Sequence, residues 1–144
     1  MQALSLFRKI KSFSALEAES RRYFMHSWLE LLKVRFLLSF RPVKTMKRYQ
    51  ILGLKEDKEF SLQDFLKSFD LAHRYIPGAT CLVQAYAAKK VLADYGQASV
   101  VRIGVSKKAG FKAHAWLEYQ GTVILGQVMN LADYQALGGG VMKN

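Results

Sequence analysis

One segment restricts the fold more than any other. Thr80 reads as a helix N-cap, and Cys81 falls among the first helical residues. After it, Leu82, Val83, Ala85, Tyr86, Ala88, Val91 and Leu92 spread apolar side chains over much of the helix circumference, until Gly96 supplies a stop. A helix that is apolar nearly all round has no face to offer water. It must lie inside, and the rest of the chain must cover it.

The residues before it predict helices. Ser14-Ala15-Leu16-Glu17 has the capping-box pattern, with the acid three residues after the serine. Leu16, Tyr23, Met25, Trp28, Leu31, Leu32, Phe36 and Leu38 recur mostly at spacings of three and four and predict one apolar stripe. Arg41-Pro42 ends it, because a residue before proline resists helical geometry. Residues 43–58 read as a basic connection with room for a short helix. Ser61 caps the next helix, Asp64 favours its positive end, and Leu62, Phe65, Leu66, Phe69 and Leu71 are its expected buried face. Pro77-Gly78 closes it.

The residues after it predict strands. Residues 98–105 are rich in valine and isoleucine, and residues 111–119 and 122–127 form a second and third strand. Gln120-Gly121 makes the hairpin turn between the last two. The tail carries Leu131, Tyr134 and Leu137, then Gly138-Gly139-Gly140, expected to be mobile. Segregated helices and strands imply an α+β fold. The 144 residues fit one domain overall, with a helical region at 1–72 and a core at 73–144.

A single cysteine permits no internal disulfide and points to a reducing, cytoplasmic setting. No signal peptide is visible, and the most apolar stretch, 23–40, is interrupted by His26, Glu30, Lys33 and Arg35. The net charge of +11 is unevenly spread. Residues 8–48 hold eleven basic side chains against Glu17, Glu19 and Glu30. Such a region attracts acidic partners: nucleic acid, a membrane surface, or an acidic peptide or protein. Aromatic residues are not interleaved with the basic ones in any nucleic-acid recognition motif, which argues against that class.

The lone thiol is the natural place to look for chemistry. Thiols attack as thiolates, and the unpaired N–H groups of a helix N-terminus favour negative charge there. A histidine can serve as base. His26 and His73 read as ordinary helix residues, whereas His114 lies on a strand that turns His114, Trp116 and Glu118 to one face. Counting back from the hairpin places Gln127 opposite His114, where its amide oxygen would orient the ring. One Cys and three scattered His show no metal-ligand spacing, and no phosphate-cradling glycine motif is present. No cofactor is expected.

A Cys-Leu pair opening an alanine-rich helix, a strand ending Arg102-Ile103-Gly104-Val105, and then Ala113-His114-Ala115-Trp116-Leu117-Glu118 together resemble the lasso-peptide leader peptidases. These are the stand-alone protease half of the B protein of lasso-peptide biosynthesis. The match is strongest over 75–127. The resemblance implies a transglutaminase-like, papain-related core and a Cys-His-Asp triad that removes the leader from a ribosomal precursor peptide. It implies Cys81 as nucleophile and His114 as base. It also implies a small leader-binding partner protein and a lasso cyclase that uses the released amine. Where the family carries its acid, this chain has Gly126-Gln127, so Gln127, Asp133 of the tail, or no residue at all takes that place.

Overall fold

The computed structural model describes residues 17–108, 110, 112–127 and 131–136, together with residues 3, 5 and 8. The expected cap at Ser14, the apolar Leu16, Leu137 and the glycines 138–140 lie outside the described residues. Four helices with defined bounds among the described residues precede a small sheet: α1 (Ala18–Phe40), α2 (Pro42–Gln50), α3 (Leu62–His73) and α4 (Cys81–Asp94). The strands are β1 (Val100–Ser106), β2 (Lys112–Tyr119), β3 (Thr122–Leu125) and β4 (Gln135–Ala136). They form one antiparallel sheet in the order β3-β2-β1-β4. The fold is α+β, as the segregation of helical and strand patterns implies.

Local chemistry explains most boundaries. The Ser61 hydroxyl accepts from the Asp64 N–H, and the Thr80 hydroxyl from the Val83 N–H. Each cap satisfies one of the donors a helix start leaves unpaired, worth about 1 kcal/mol. Pro42 does not end the helical region. It ends α1 and occupies the first turn of α2, where its missing N–H costs nothing. The basic connection is therefore a nine-residue helix followed by a loop. Gln120 and Gly121 both adopt positive φ, 51° and 79°, which gives the tight hairpin turn.

α4 is the centre of the molecule. Ala85, Tyr86, Ala87, Ala88, Val91 and Leu92 have at most 1% exposure. α1 and α3 pack together, α1 packs on α4, and β2 covers another side. The core also takes in Tyr23, Leu31, Val34, Phe65, Phe69 and Leu117, all fully buried. Complete burial of a large apolar side chain contributes about 1.5–3 kcal/mol. The Tyr23 hydroxyl accepts from the Ser61 N–H at 3.0 Å and ties α1 to the start of α3.

The single stripe expected on α1 is corrected. Tyr23, Phe24, Ser27, Leu31 and Val34 face the core, whereas Met25, Leu32 and Phe36 are exposed. The helix is apolar on two faces, so spacing alone did not separate them. On α3, Ser68 and Ala72 join Phe65 and Phe69 in the core, while Leu62, Leu66 and Leu71 are half-buried. Among the described residues, no helix is long and apolar enough to cross a membrane.

Candidate active site

The N-terminus of α4 meets the middle of β2. Cys81 is the first residue of the helix and is half-buried. Its Sγ accepts a hydrogen bond from the Ala115 N–H at 3.4 Å. His114, the preceding residue, lines with Cys81 a cavity of about 190 Å³ whose other walls are Gln84, Ala85, Trp116, Leu125 and Gly126. Cys81 and Ala115, 34 positions apart, are thus brought together by the contact between α4 and β2.

The imidazole is held on several sides. Its Nε2 lies 2.6 Å from the Gly126 carbonyl oxygen. A carbonyl only accepts, so Nε2 carries the proton and Nδ1 is left as the basic nitrogen. The ring stacks on Trp116, with centroids 6.2 Å apart and planes at 22°, and Tyr134 lies 5.6 Å away. Trp116 is itself fixed, because its Nε1 donates to Glu118 Oε1 and Arg102 holds the other carboxylate oxygen. The expected shared face of His114, Trp116 and Glu118 is present. The Trp116 ring lies over Gly104, where a Cβ would come within 2.8 Å of it.

Gln127 does not stand opposite His114. Glu118 pairs with Val123 but Leu117 pairs with Leu125, so Ile124 is an extra residue in β3. This bulge slips the register by one beyond it. Gly126, at φ 83°, then turns its carbonyl to the imidazole, and Gln127 is exposed. A Cβ at Gly126 would fall 2.7 Å from the Ala115 carbonyl oxygen, so glycine alone fits. Asp133 is also engaged elsewhere, in an ion pair with Lys108 at 2.9 Å. Sequence reading missed Gly126 and Tyr134. A glycine inside a strand pattern does signal a bulge or a close backbone approach, whereas β4, two residues long, leaves no readable pattern.

The remaining histidines lie away from the thiol. His73 contacts Asp70 at 3.2 Å on the surface of α3. His26 bonds Asp94 at 2.9 Å at the far end of α4. His26, Glu30 and Asp94 bring possible metal-ligand atoms within 4.8 Å of one another, a grouping the linear spacing did not reveal. Lys55 and Lys90 both pair with Asp94 Oδ1. Asp94 is therefore already held by cations as part of an ion network. Burial would raise the Asp94 carboxyl, but hydrogen bonds from Lys90 and Lys55 outweigh it and hold the group below its ordinary value. A larger hollow of about 440 Å³, walled in part by Lys89, Val100 and Gln120, contains neither thiol nor imidazole. There Lys89 Nζ is tied to the Gln50 carbonyl at 2.8 Å.

Chemically, the small cavity joins a sulfur at the positive end of a helix, a histidine of fixed tautomer, and unpaired first-turn N–H groups. Thr80 caps only the Val83 N–H, so those of Cys81 and Leu82 have no partner within the helix and can stabilise an oxyanion. No curated protein and no solved structure matches the chain. The family model described as transglutaminase-like superfamily matches residues 31–138, three-quarters of the sequence and all of this site. The chain belongs to the transglutaminase-like superfamily.

Proposed function

We propose that this protein is a cysteine peptidase that removes the leader from a ribosomally made lasso-peptide precursor. The observation that carries the reading is the meeting of Cys81 with the His114 segment in one cavity, with Nε2 tied to the Gly126 carbonyl. Family membership supports acyl chemistry at the thiol. The combined Cys-Leu and His-Ala-Trp-x-Glu motifs support the leader-peptidase branch.

In the proposed reaction, His114 Nδ1 takes the Cys81 proton and the thiolate attacks the last leader carbonyl. The Cys81 and Leu82 N–H groups stabilise the tetrahedral oxyanion. The imidazolium then protonates the departing core-peptide amine as the C–N bond breaks, leaving a thioester. A water deprotonated by His114 attacks the thioester, and the leader leaves as a carboxylate while the thiol is restored. The Gly126 carbonyl takes the orienting place expected of Gln127. It fixes the tautomer but brings no full negative charge to stabilise the imidazolium. The partners of this reading are the precursor peptide, a small leader-binding protein that presents it, and a cyclase that uses the freed amine.

The test is incubation of the precursor and the leader-binding protein with wild type, Cys81→Ala and His114→Ala, read by mass spectrometry. Cleavage at one leader–core bond by wild type alone is expected. Leader transferred to an added amine in place of water would redefine the protein as an acyl transferase. Unimpaired cleavage by Cys81→Ala would remove the reading.

A further inference from the structure

The outward face of α1 gathers most of the large exposed apolar side chains among the described residues. Met25, Leu29, Leu32, Phe36 and Phe40 recur three or four residues apart, and Val43 in α2 is exposed as well. Leu29 is 55% exposed, Phe36 61% and Phe40 70%. Phe36 and Phe40 contact each other with centroids 4.6 Å apart. At about 100° per residue these side chains share one face, and at about 1.5 Å per residue the row from Met25 to Phe40 runs about 22 Å. The opposite face carries Tyr23, Leu31 and Val34 into the core, so the row points away from the body of the protein. Exposed apolar rows of this extent mark a contact surface.

The flanks say what kind. Arg22 and Lys33 lie on one side of the row, and Arg21 and Arg35 on the other, all exposed. Arg41, Lys44, Lys47 and Arg48 continue the exposed cations beyond its end. Over residues 21–48 the one acid is Glu30, and its Oε2 is buried. The exposed hydroxyl beside the row, Ser39, donates to the Arg35 carbonyl. A second copy of this chain would set these cations against their own kind. A folded polypeptide partner is fixed in register by complementary charge together with directed hydrogen bonds. This face offers attraction of one sign and no register. A fluid anionic lipid interface requires nothing more: apolar side chains enter the acyl boundary and flanking Arg and Lys reach the headgroups.

We propose that the α1 face, Met25 to Phe40 with its cationic flanks, docks this protein on anionic lipid surfaces. The proposal is independent of the chemistry at Cys81. The test is co-sedimentation of the full chain with extruded vesicles of equimolar phosphatidylcholine and phosphatidylglycerol, against phosphatidylcholine alone. Partition should be about tenfold stronger on the anionic vesicles and weaken with salt. The triple variant Leu29→Ser, Phe36→Ser, Phe40→Ser should lose about tenfold of that partition with an unchanged circular dichroism spectrum. As a second readout with the apolar row kept, Phe40→Trp should shift its emission to the blue on anionic vesicles. No partition by wild type, a triple variant that binds as well as wild type, or no spectral shift would each overturn the proposal. So would a dimer abolished by the triple variant, or binding to an acidic amphipathic peptide with none to vesicles.

Discussion

The two ends of α4 each hold a functional-looking histidine contact, and they are built on opposite electrostatic terms. At the N-terminus, Cys81 accepts from the Ala115 N–H and shares a cavity with the carbonyl-bound imidazole of His114. That end of a helix carries the positive end of its dipole. At the C-terminus, Asp94 places a carboxylate where the helix is already negative. It is held by Lys90, Lys55 and His26. One end is electrostatically open and the other closed. A histidine–carboxylate pair, the usual mark of an oriented base, occurs at the end without the thiol.

That contrast is most sharply tested at the thiol. Cys81→Ala and His114→Ala should each lower precursor cleavage by about a thousandfold or more while leaving the unfolding midpoint within a few degrees. His26→Ala should not reproduce that loss. Equal losses from His26→Ala and His114→Ala would erase the distinction between the ends.

The closed end should show its role in stability. Asp94→Asn removes a buried carboxylate from an exposed Lys55 and the partly buried Lys90 and His26, and should cost about 2 kcal/mol in urea unfolding. Because the native carboxyl is held low, its contribution is fully present above the ordinary unfolded value of about 4. It is lost as the pH falls through the lower native value. Wild type should lose stability across that acid range, and Asp94→Asn should flatten the same limb.

Smaller effects separate the two candidates for orienting His114. Gly126→Ala meets both a positive φ and the Ala115 carbonyl. It should cost about 1–2 kcal/mol of stability and lower turnover about tenfold, with a shifted pH–rate profile. Gln127→Ala should change turnover by about twofold or less, since the side chain is exposed. The reverse ranking would return the orienting role to the amide.

Much of this was legible in the sequence because it is written in local chemistry. The Thr80 and Ser61 caps, the break at Arg41-Pro42, the Gln120-Gly121 turn and the near-complete burial of α4 all follow from residue type and spacing. So does the pairing of Tyr119 with Thr122. What escaped depends on contacts between distant segments. Ile124 looks like any strand residue, yet as a bulge it exchanges Gln127 for the Gly126 carbonyl. Met25 and Leu31 are equally apolar, and only the position of α4 decides which is covered. His26 and Asp94 are 68 residues apart, and no linear pattern joins them.

The hydrogen bond from His114 to Gly126 has one further consequence, which concerns the order of assembly. α1 packs on α3 and α4 through contacts that do not involve β3, whereas the carbonyl that holds the imidazole follows β3 directly. Until β3 closes on β2, the imidazole has no carbonyl to choose its protonated nitrogen. A chain with that hairpin open would own its sulfur and its ring but not an oriented pair, so the proposed acyl chemistry should require the closed β2–β3 hairpin.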